Sequence, residues 1–257
     1  MLRRIAAFAL LATLSWTPAA SAAPRPVVER PLTIVLDPGH GGGNHGCASA
    51  HEGVEEKQVT LWIAQELQAR LAERLPHATV VLTRGGDRSM TLAERVAIAN
   101  EREADVFVSI HANASETKTQ HGFETYVLDA RASSLEAART AWRENVGPKA
   151  TRPAASDAAA MLKQLELQAH RQRAARLAQA IQRGQAQRFP VRLDRGVKQA
   201  PFDVLMGANM PAVLFEAGFL DHAEEANLLT DPEARALVVD GLADALVEFY
   251  RAQGRDA

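Results

Sequence analysis

Short apolar runs alternate along this chain with longer stretches whose apolar residues recur at helical spacing. Residues 32–36 (LTIVL), 79–83 (TVVLT), 106–110 (VFVSI), 122–128 (GFETYVL) and 211–215 (PAVLF) are rich in β-branched and aliphatic residues, the pattern of buried strands. After the first run, Val59, Ile63, Leu67, Leu71 and Leu75, with Trp62 beside them, form an apolar stripe of helical period that Pro76 ends. Thr91-Leu92-Ala93-Glu94 has capping-box spacing and opens a helix to about residue 103. Residues 130–187 are rich in Ala, Arg and Gln and contain no strand-like run; they predict two helices, 134–144 and 157–186, joined by a proline-containing loop. A further strand is expected over 202–206. Asp231-Pro232 caps a last helix, which Leu237, Val238, Leu242, Leu246 and Phe249 pack onto the sheet. Alternating strands and helices predict an α/β fold, a single domain with a mainly parallel twisted central sheet flanked by helices.

Several predicted strands end in residues with chemistry. The first stops at Asp37-Pro38-Gly39 and is followed by His40 and three glycines. Open α/β sheets place ligands beyond the carboxyl ends of their strands, and glycines let backbone and substrate approach closely. A dinucleotide loop is disfavoured because the sixth position of G-x-G-x-x-G is Asn44. A lipase-like oxyanion loop would need a G-x-S-x-G elbow, which the chain lacks. The third reading makes His40 a metal ligand. The third strand ends in His111-Ala112-Asn113, and parallel strands bring their ends to one rim, so His40 and His111 meet there. Glu55 and Glu56 open the first helix, whose N-terminus points back at that rim; as first-turn acids they suit the helix dipole, and one of them also suits a cation. Two histidines and a helix-start glutamate make a three-ligand set for Zn²⁺ with one position left open. Glu216 follows the last apolar run, and an unpaired acid is costly to bury there. Beside a zinc it can act as a general base. His45, Cys47 and His51 lie in the intervening loop and read as loop residues, although each is a ligand type.

The N-terminus reads as a processing signal. Arg3 and Arg4 precede an apolar stretch too short to span a bilayer, and Ala20-Ser21-Ala22 is a small-residue cleavage site. Residues 1–22 are therefore expected to be a signal peptide, 23–31 a short linker and 32–253 the functional domain. The expected compartment is the periplasm, with the Sec or twin-arginine route left open. Removing Arg3 and Arg4 from the 29 basic residues leaves 27 against 31 acidic ones, a balance that argues against nucleic acid as a partner. No membrane span is expected, and a single cysteine, Cys47, allows no internal disulfide. A monomer is the expected state. Between residues 171 and 198 lie eight basic residues and one acid; the run reads as a solvated helix face or as a surface for an anionic polymer.

Together DPGHGG after the first strand, a Glu-Lys pair at the first helix, SIHAN at the third strand and VLFEAGFL near the end resemble the zinc-dependent N-acetylmuramoyl-L-alanine amidases of the Amidase_3 type. DRGVKQAPFDVL over 194–205 also resembles that family's segment before its last strand. The resemblance runs over about 32–250. It implies that His40, Glu56 and His111 bind one zinc, with Glu56 preferred because it directly precedes Lys57, and that Glu216 is the catalytic acid–base. The implied reaction is hydrolysis of the amide between N-acetylmuramic acid and L-alanine in peptidoglycan, in wall remodelling or daughter-cell separation. Several relatives carry a wall-binding domain that this chain is not expected to have, and a helical insertion that covers the zinc until an activator displaces it. Residues 130–169 occupy that place as a possible regulatory segment. Glu136, Glu144 and Glu166 there are candidates to reach the zinc, and a protein activator is a possible partner. A zinc carboxypeptidase and a non-catalytic wall-binding module are the rival readings. The former usually has His-x-x-Glu, whereas His40 and Glu56 stand sixteen apart.

Overall fold

The computed structural model describes residues 31–145 and 157–252, with the side chains of 157–167 excepted. The expected signal peptide over 1–22, the linker apart from Pro31, the loop over 146–156 and the side chain of Glu166 lie outside the described residues. The strands are β1 Thr33–Pro38, β2 Thr79–Leu82, β3 Val106–Asn113, β4 Phe123–Leu128, β5 Asp194–Ala200 and β6 Ala212–Phe219. The helices are α1 Glu56–Arg74, α2 Leu92–Glu101, α3 Leu135–Glu144, α4 Asp157–Arg188, α5 Ala223–Thr230 and α6 Pro232–Arg251. The six strands form one sheet in the order β2-β1-β3-β6-β4-β5. β2, β1, β3 and β6 run parallel; β4 pairs antiparallel with β6, and β5 runs with β4.

Alternation within the strands explains the layering. Ile34 and Leu36 of β1, Val106, Val108 and Ile110 of β3, and Val213 and Phe215 of β6 face a core completed by α1, α4 and α6. Val35, Phe107 and Leu214 point to the opposite face, where α2, α3 and the turn at Asp203–Leu205 cover them. Both faces of the central strands are thus dry, which is why those strands read as continuous apolar runs. The α1 stripe of Val59, Ile63, Leu67 and Leu71 is fully buried.

One expectation fails at the second sheet edge. The strand expected over 202–206 is a single 3₁₀ turn, Asp203–Leu205, and the strand lies earlier at Asp194–Ala200. Phe202, Val204 and Leu205 are apolar because they cover a sheet face, whereas β5 pairs only with β4 and stays partly exposed. An edge strand of this kind needs no apolar alternation and tolerates charge. The short helix α5 also escaped the periodicity. In the basic run over 171–198, Arg171, Arg173 and Arg176 are exposed, as a solvated helix face would have them, and the other five cations pair with acids of the same chain. Arg183 pairs with Glu248, Arg188 with Asp244, Arg192 with Glu225, and Arg195 and Lys198 with Glu124. Among the described residues no helix is long and apolar enough to cross a membrane.

Candidate metal centre

The register of the sheet puts the candidate residues on one rim. Pro38 of β1 pairs with Ile110 of β3, and His111 pairs with Glu216 of β6. His40 follows β1 by two residues, and Glu56 is the first residue of α1. His40 Nε2 lies 3.0 Å from Glu56 Oε1, and His111 Nδ1 lies 3.1 Å from the same oxygen. A fourth donor joins them from α3: Glu144 Oε2 is 3.2 Å from His40 Nε2 and 3.0 Å from His111 Nδ1. The ligand atoms of these four residues all lie within 4.8 Å of one another.

The arrangement fits a zinc ion. Four donors at about 2.0–2.1 Å from a tetrahedral centre stand about 3.3 Å apart. The 3.0–3.2 Å edges found here are close to that. His40 Nε2 and Glu144 Oε2 are buried and make no hydrogen bond despite their proximity, so they surround a common point rather than aim at each other. The outer contacts fit as well. His40 Nδ1 meets Asn44 Oδ1 at 3.0 Å, which puts the ring proton there and leaves Nε2 free to ligate. Glu56 accepts the backbone N–H of Ala112 on Oε1 and that of Cys47 on Oε2. Two imidazoles and two carboxylates are a zinc donor set.

The protein groups alone perturb one another strongly. Burial acts to lower His40, but Glu56 and Glu144 overcome it and raise its pKa to about 11. His111 is likewise buried, and Glu144 and Glu56 raise it to about 9. Burial works against ionised Glu144, yet His111 and His40 hold it at about 2; Glu56 is kept well below the usual carboxylate range by the same two rings. Glu216 moves the other way. Burial, followed by repulsion from Glu144, pushes it well above an ordinary glutamate, and neither carboxylate oxygen has a hydrogen-bond partner.

The other candidates of the 44–53 loop stay outside the donor set. His45 pairs with Glu55, His51 contacts Asn227, and Cys47 donates its thiol to the carbonyl of Ala112 at 3.1 Å. Two glycines make room for the ligands. A Cβ on Gly39 would stand 2.4 Å from the His111 ring, and one on Gly46 would stand 2.4 Å from Glu56 Oε2. His40 itself has φ +60°, a strained setting for a residue with a Cβ. We expect Gly39→Ala to lower bound metal severalfold although no ligand changes, as measured by elemental analysis of the purified variant; full metal content would contradict this.

Two buried arginines hold this strained turn, and sequence reading missed both. Arg95 Nη1 donates to Asp37 Oδ1 at 2.8 Å and to the Pro38 carbonyl at 2.7 Å, while Nη2 reaches the His40 carbonyl. Arg84 Nη2 donates to the carbonyls of Gly39 and Lys57, both at 2.7 Å, tying β1 to α1. Burial and the neighbouring Arg95 lower the Arg84 pKa to about 10. The only signal was Asp37 itself: a carboxylate ending a buried strand needs a cation, but nothing in the sequence says which.

Comparison with known proteins adds an independent line. Residues 34–248 match the family profile described as N-acetylmuramoyl-L-alanine amidase, Amidase_3. The chain is 31% identical over 233 residues to the probable N-acetylmuramoyl-L-alanine amidase AmiB of Haemophilus influenzae, covering 87% of this chain and 53% of that protein. It is 31% identical over 221 residues to the amidase AmiA of Escherichia coli, covering 84% and 75% respectively. The catalytic domain of the amidase CwlV from Paenibacillus polymyxa superposes with a TM-score of 0.63 at 28% identity, covering 86% of this chain and 98% of that one. The chain thus spans about half the length of the Haemophilus protein.

Proposed function

This chain belongs to the Amidase_3 family of N-acetylmuramoyl-L-alanine amidases, and we propose that it hydrolyses the amide between N-acetylmuramic acid and L-alanine in peptidoglycan. One observation carries the reading. His40, His111 and Glu56 converge on one rim, with Glu216 in register beside His111. His40, Glu56 and His111 would hold the zinc, which when bound supplies Lewis acidity that activates water and polarises the carbonyl. Glu216 would take the proton of the attacking water and deliver it to the leaving nitrogen of L-alanine. A leader of the kind expected over residues 1–22 would be consistent with work in the periplasm.

Glu144 suggests how the activity is restrained. A catalytic zinc keeps one position open, whereas four protein donors close it. With Glu144 in place the site is in a resting form, and α3 is its plug. The helix is lightly attached. It buries only Ala137, Thr140 and Ala141, while Leu135 and Trp142 are 69% and 79% exposed. Polar contacts do the rest: Arg143 to Asn113 at 2.5 Å, Asn145 to the Pro201 carbonyl at 2.7 Å, and the Asp203 N–H to Asn145. An activating protein that binds the displaced helix more tightly would shift the population. Withdrawal of Glu144 would also remove one of the causes that raise Glu216, moving the base toward its ionised form.

The test of the reaction is digestion of purified peptidoglycan followed by mass spectrometry. Stem peptides with a free L-alanine amine are expected, lost with a chelator and restored by zinc. Cleavage between peptide residues would point to a carboxypeptidase, and no cleavage by any form to a wall-binding module. For the plug, Glu144→Gln weakens a charged contact worth about 1.5–3 kcal/mol, so turnover of the free enzyme is expected to rise about 10- to 100-fold. Equal or slower turnover would refute the resting form.

A further inference from the structure

The rim carries a second polar cluster that the reaction as proposed does not use. Because β4 and β5 run against the other strands, their first residues reach the same edge as His111 and Glu216; Glu124 stands opposite Glu216 in register. Glu124 is buried and accepts from Asn113 Nδ2 at 2.9 Å, Tyr126 Oη at 2.6 Å, Arg195 Nε at 2.7 Å and Lys198 Nζ at 2.5 Å. Two cations on one carboxylate leave one positive charge uncompensated by it. Arg195 is fixed on three sides: Nε on Glu124, Nη1 on Gln120 Oε1 at 2.8 Å, and its plane over the Phe219 ring at 4.9 Å. The remaining nitrogen, Nη2, holds the carboxylate of Glu136 from α3 at 3.1 Å, and both residues line a cavity of about 100 Å³.

We propose that Arg195 recognises a carboxylate on the stem peptide of the substrate, and that Glu136 occupies this seat while α3 lies on the rim. The proposal deepens the amidase reading and rests on it. A structural ion pair explains the contact less well. Glu136 is 56% exposed and sits on a lightly attached helix, whereas Arg195 is largely buried and pre-oriented by three partners. A guanidinium held this way, with Nη2 turned to an acid on a lightly attached helix, is built to receive an exchangeable anion. The spacing agrees. Glu136 and Glu144 are eight residues apart on one helix, a rise of about 12 Å at 1.5 Å per residue. An extended peptide covers that in about three to four residues at 3.3–3.6 Å each. The two acids of α3 therefore sit where the scissile amide and a carboxylate further along the stem would lie. A groove of about 620 Å³ opens from His40, His111 and Glu144 onto Gly43, Asn44, Ser89 and Thr91. Beyond the donor cluster, its charges are spent within the fold, Arg95 on Asp37 and Pro38 and Glu94 on Thr91, so its remaining polar groups suit sugar hydroxyls. The glycan would lie there and the peptide toward Arg195.

Two synthetic stem peptides separate the possibilities, one with its side-branch carboxylate free and one with it amidated. Neither contains the scissile bond, so binding to the zinc-loaded full chain is read by calorimetry without turnover. The wild-type protein is expected to prefer the acidic peptide about 10- to 100-fold, the range of a charge-assisted hydrogen bond. Arg195→Gln should bring the ratio near one, and Arg195→Lys should keep part of it. Glu136→Gln should tighten the acidic peptide and leave the amidated one unmoved; it decides the question alone if Arg195→Gln does not fold. An unchanged preference in Arg195→Gln, or no preference in both the wild-type and Glu136→Gln proteins, would overturn the proposal. Peptidoglycan digestion is scored separately: a preserved carboxylate preference without amide cleavage sinks the amidase reading and keeps the seat, and the converse sinks only the seat.

Discussion

Glu216→Gln is expected to keep the fold and the zinc content of the wild type and to lose about 10²- to 10⁴-fold in turnover, the usual contribution of a general acid–base group. The residue lies in the middle of β6, fully buried, beside His111 in the ladder and with both oxygens unbonded. A buried, unpartnered carboxyl is a cost to folding that a purely structural residue would not carry. Its pKa is raised by burial and by Glu144, a shift in the direction of the neutral carboxyl, and an amide of nearly the same shape replaces it with little strain. Stability should therefore be equal to the wild type or slightly higher, while proton transfer to the leaving amine is gone. Steady-state kinetics, metal analysis and thermal unfolding of one preparation check all three; turnover near the wild-type rate would remove Glu216 from the mechanism.

Arg95→Leu is expected to destabilise the protein by about 3–5 kcal/mol at neutral pH, the cost of leaving one partner of a buried pair uncompensated. Asp37 is completely buried and accepts from Arg95, from Thr83 Oγ1 at 2.5 Å and from Ser109 Oγ at 2.7 Å. Burial opposes its charge, but Arg95 and the two hydroxyls prevail and its pKa is lowered. The sign of the pH effect follows. In the wild type a lowered folded-state pKa contributes stability above the unfolded value of about 3.9, and this is lost as pH falls through the folded value. Without Arg95, burial dominates and raises the folded-state pKa, so a penalty exists at neutral pH and fades as Asp37 takes up a proton. The gap between the two proteins should be widest near pH 7 and shrink toward pH 4, as measured by urea unfolding in the presence of chelator. A gap independent of pH would show that packing, not charge, accounts for the loss. The same variant frees the His40 carbonyl from its donor, so weaker metal retention should accompany it.

Much of this was legible before any coordinates. The parallel strands and their order of appearance, the α1 stripe and the capped starts of α2 and α6 follow from local rules: β-branched runs, a 3.6-residue period, an N-cap acid before proline. The convergence of His40, Glu56 and His111 was legible too, because parallel strands must deliver their carboxyl ends to one edge and a helix-start residue faces back toward it.

Pairing decided the rest. Nothing in the order of residues says that β4 and β5 reverse direction, and only that reversal brings Glu124 and Arg195 to the metal rim. The register that sets Glu216 opposite His111 is likewise a property of two strands about a hundred residues apart. Glu144 was one of three candidate acids in the segment over 130–169, and its place beside His40 and His111 depends on how α3 docks. Arg84 and Arg95 belong to no pattern that sequence reading singled out, and only burial makes them the partners of a strained turn. By itself the sequence determined which segments are strands and helices and which residue types stand at their ends, because those are short-range effects of sterics and hydrophobic period. The tertiary structure alone decided which charges meet, because a buried charge takes its meaning from partners that the chain brings together only on folding.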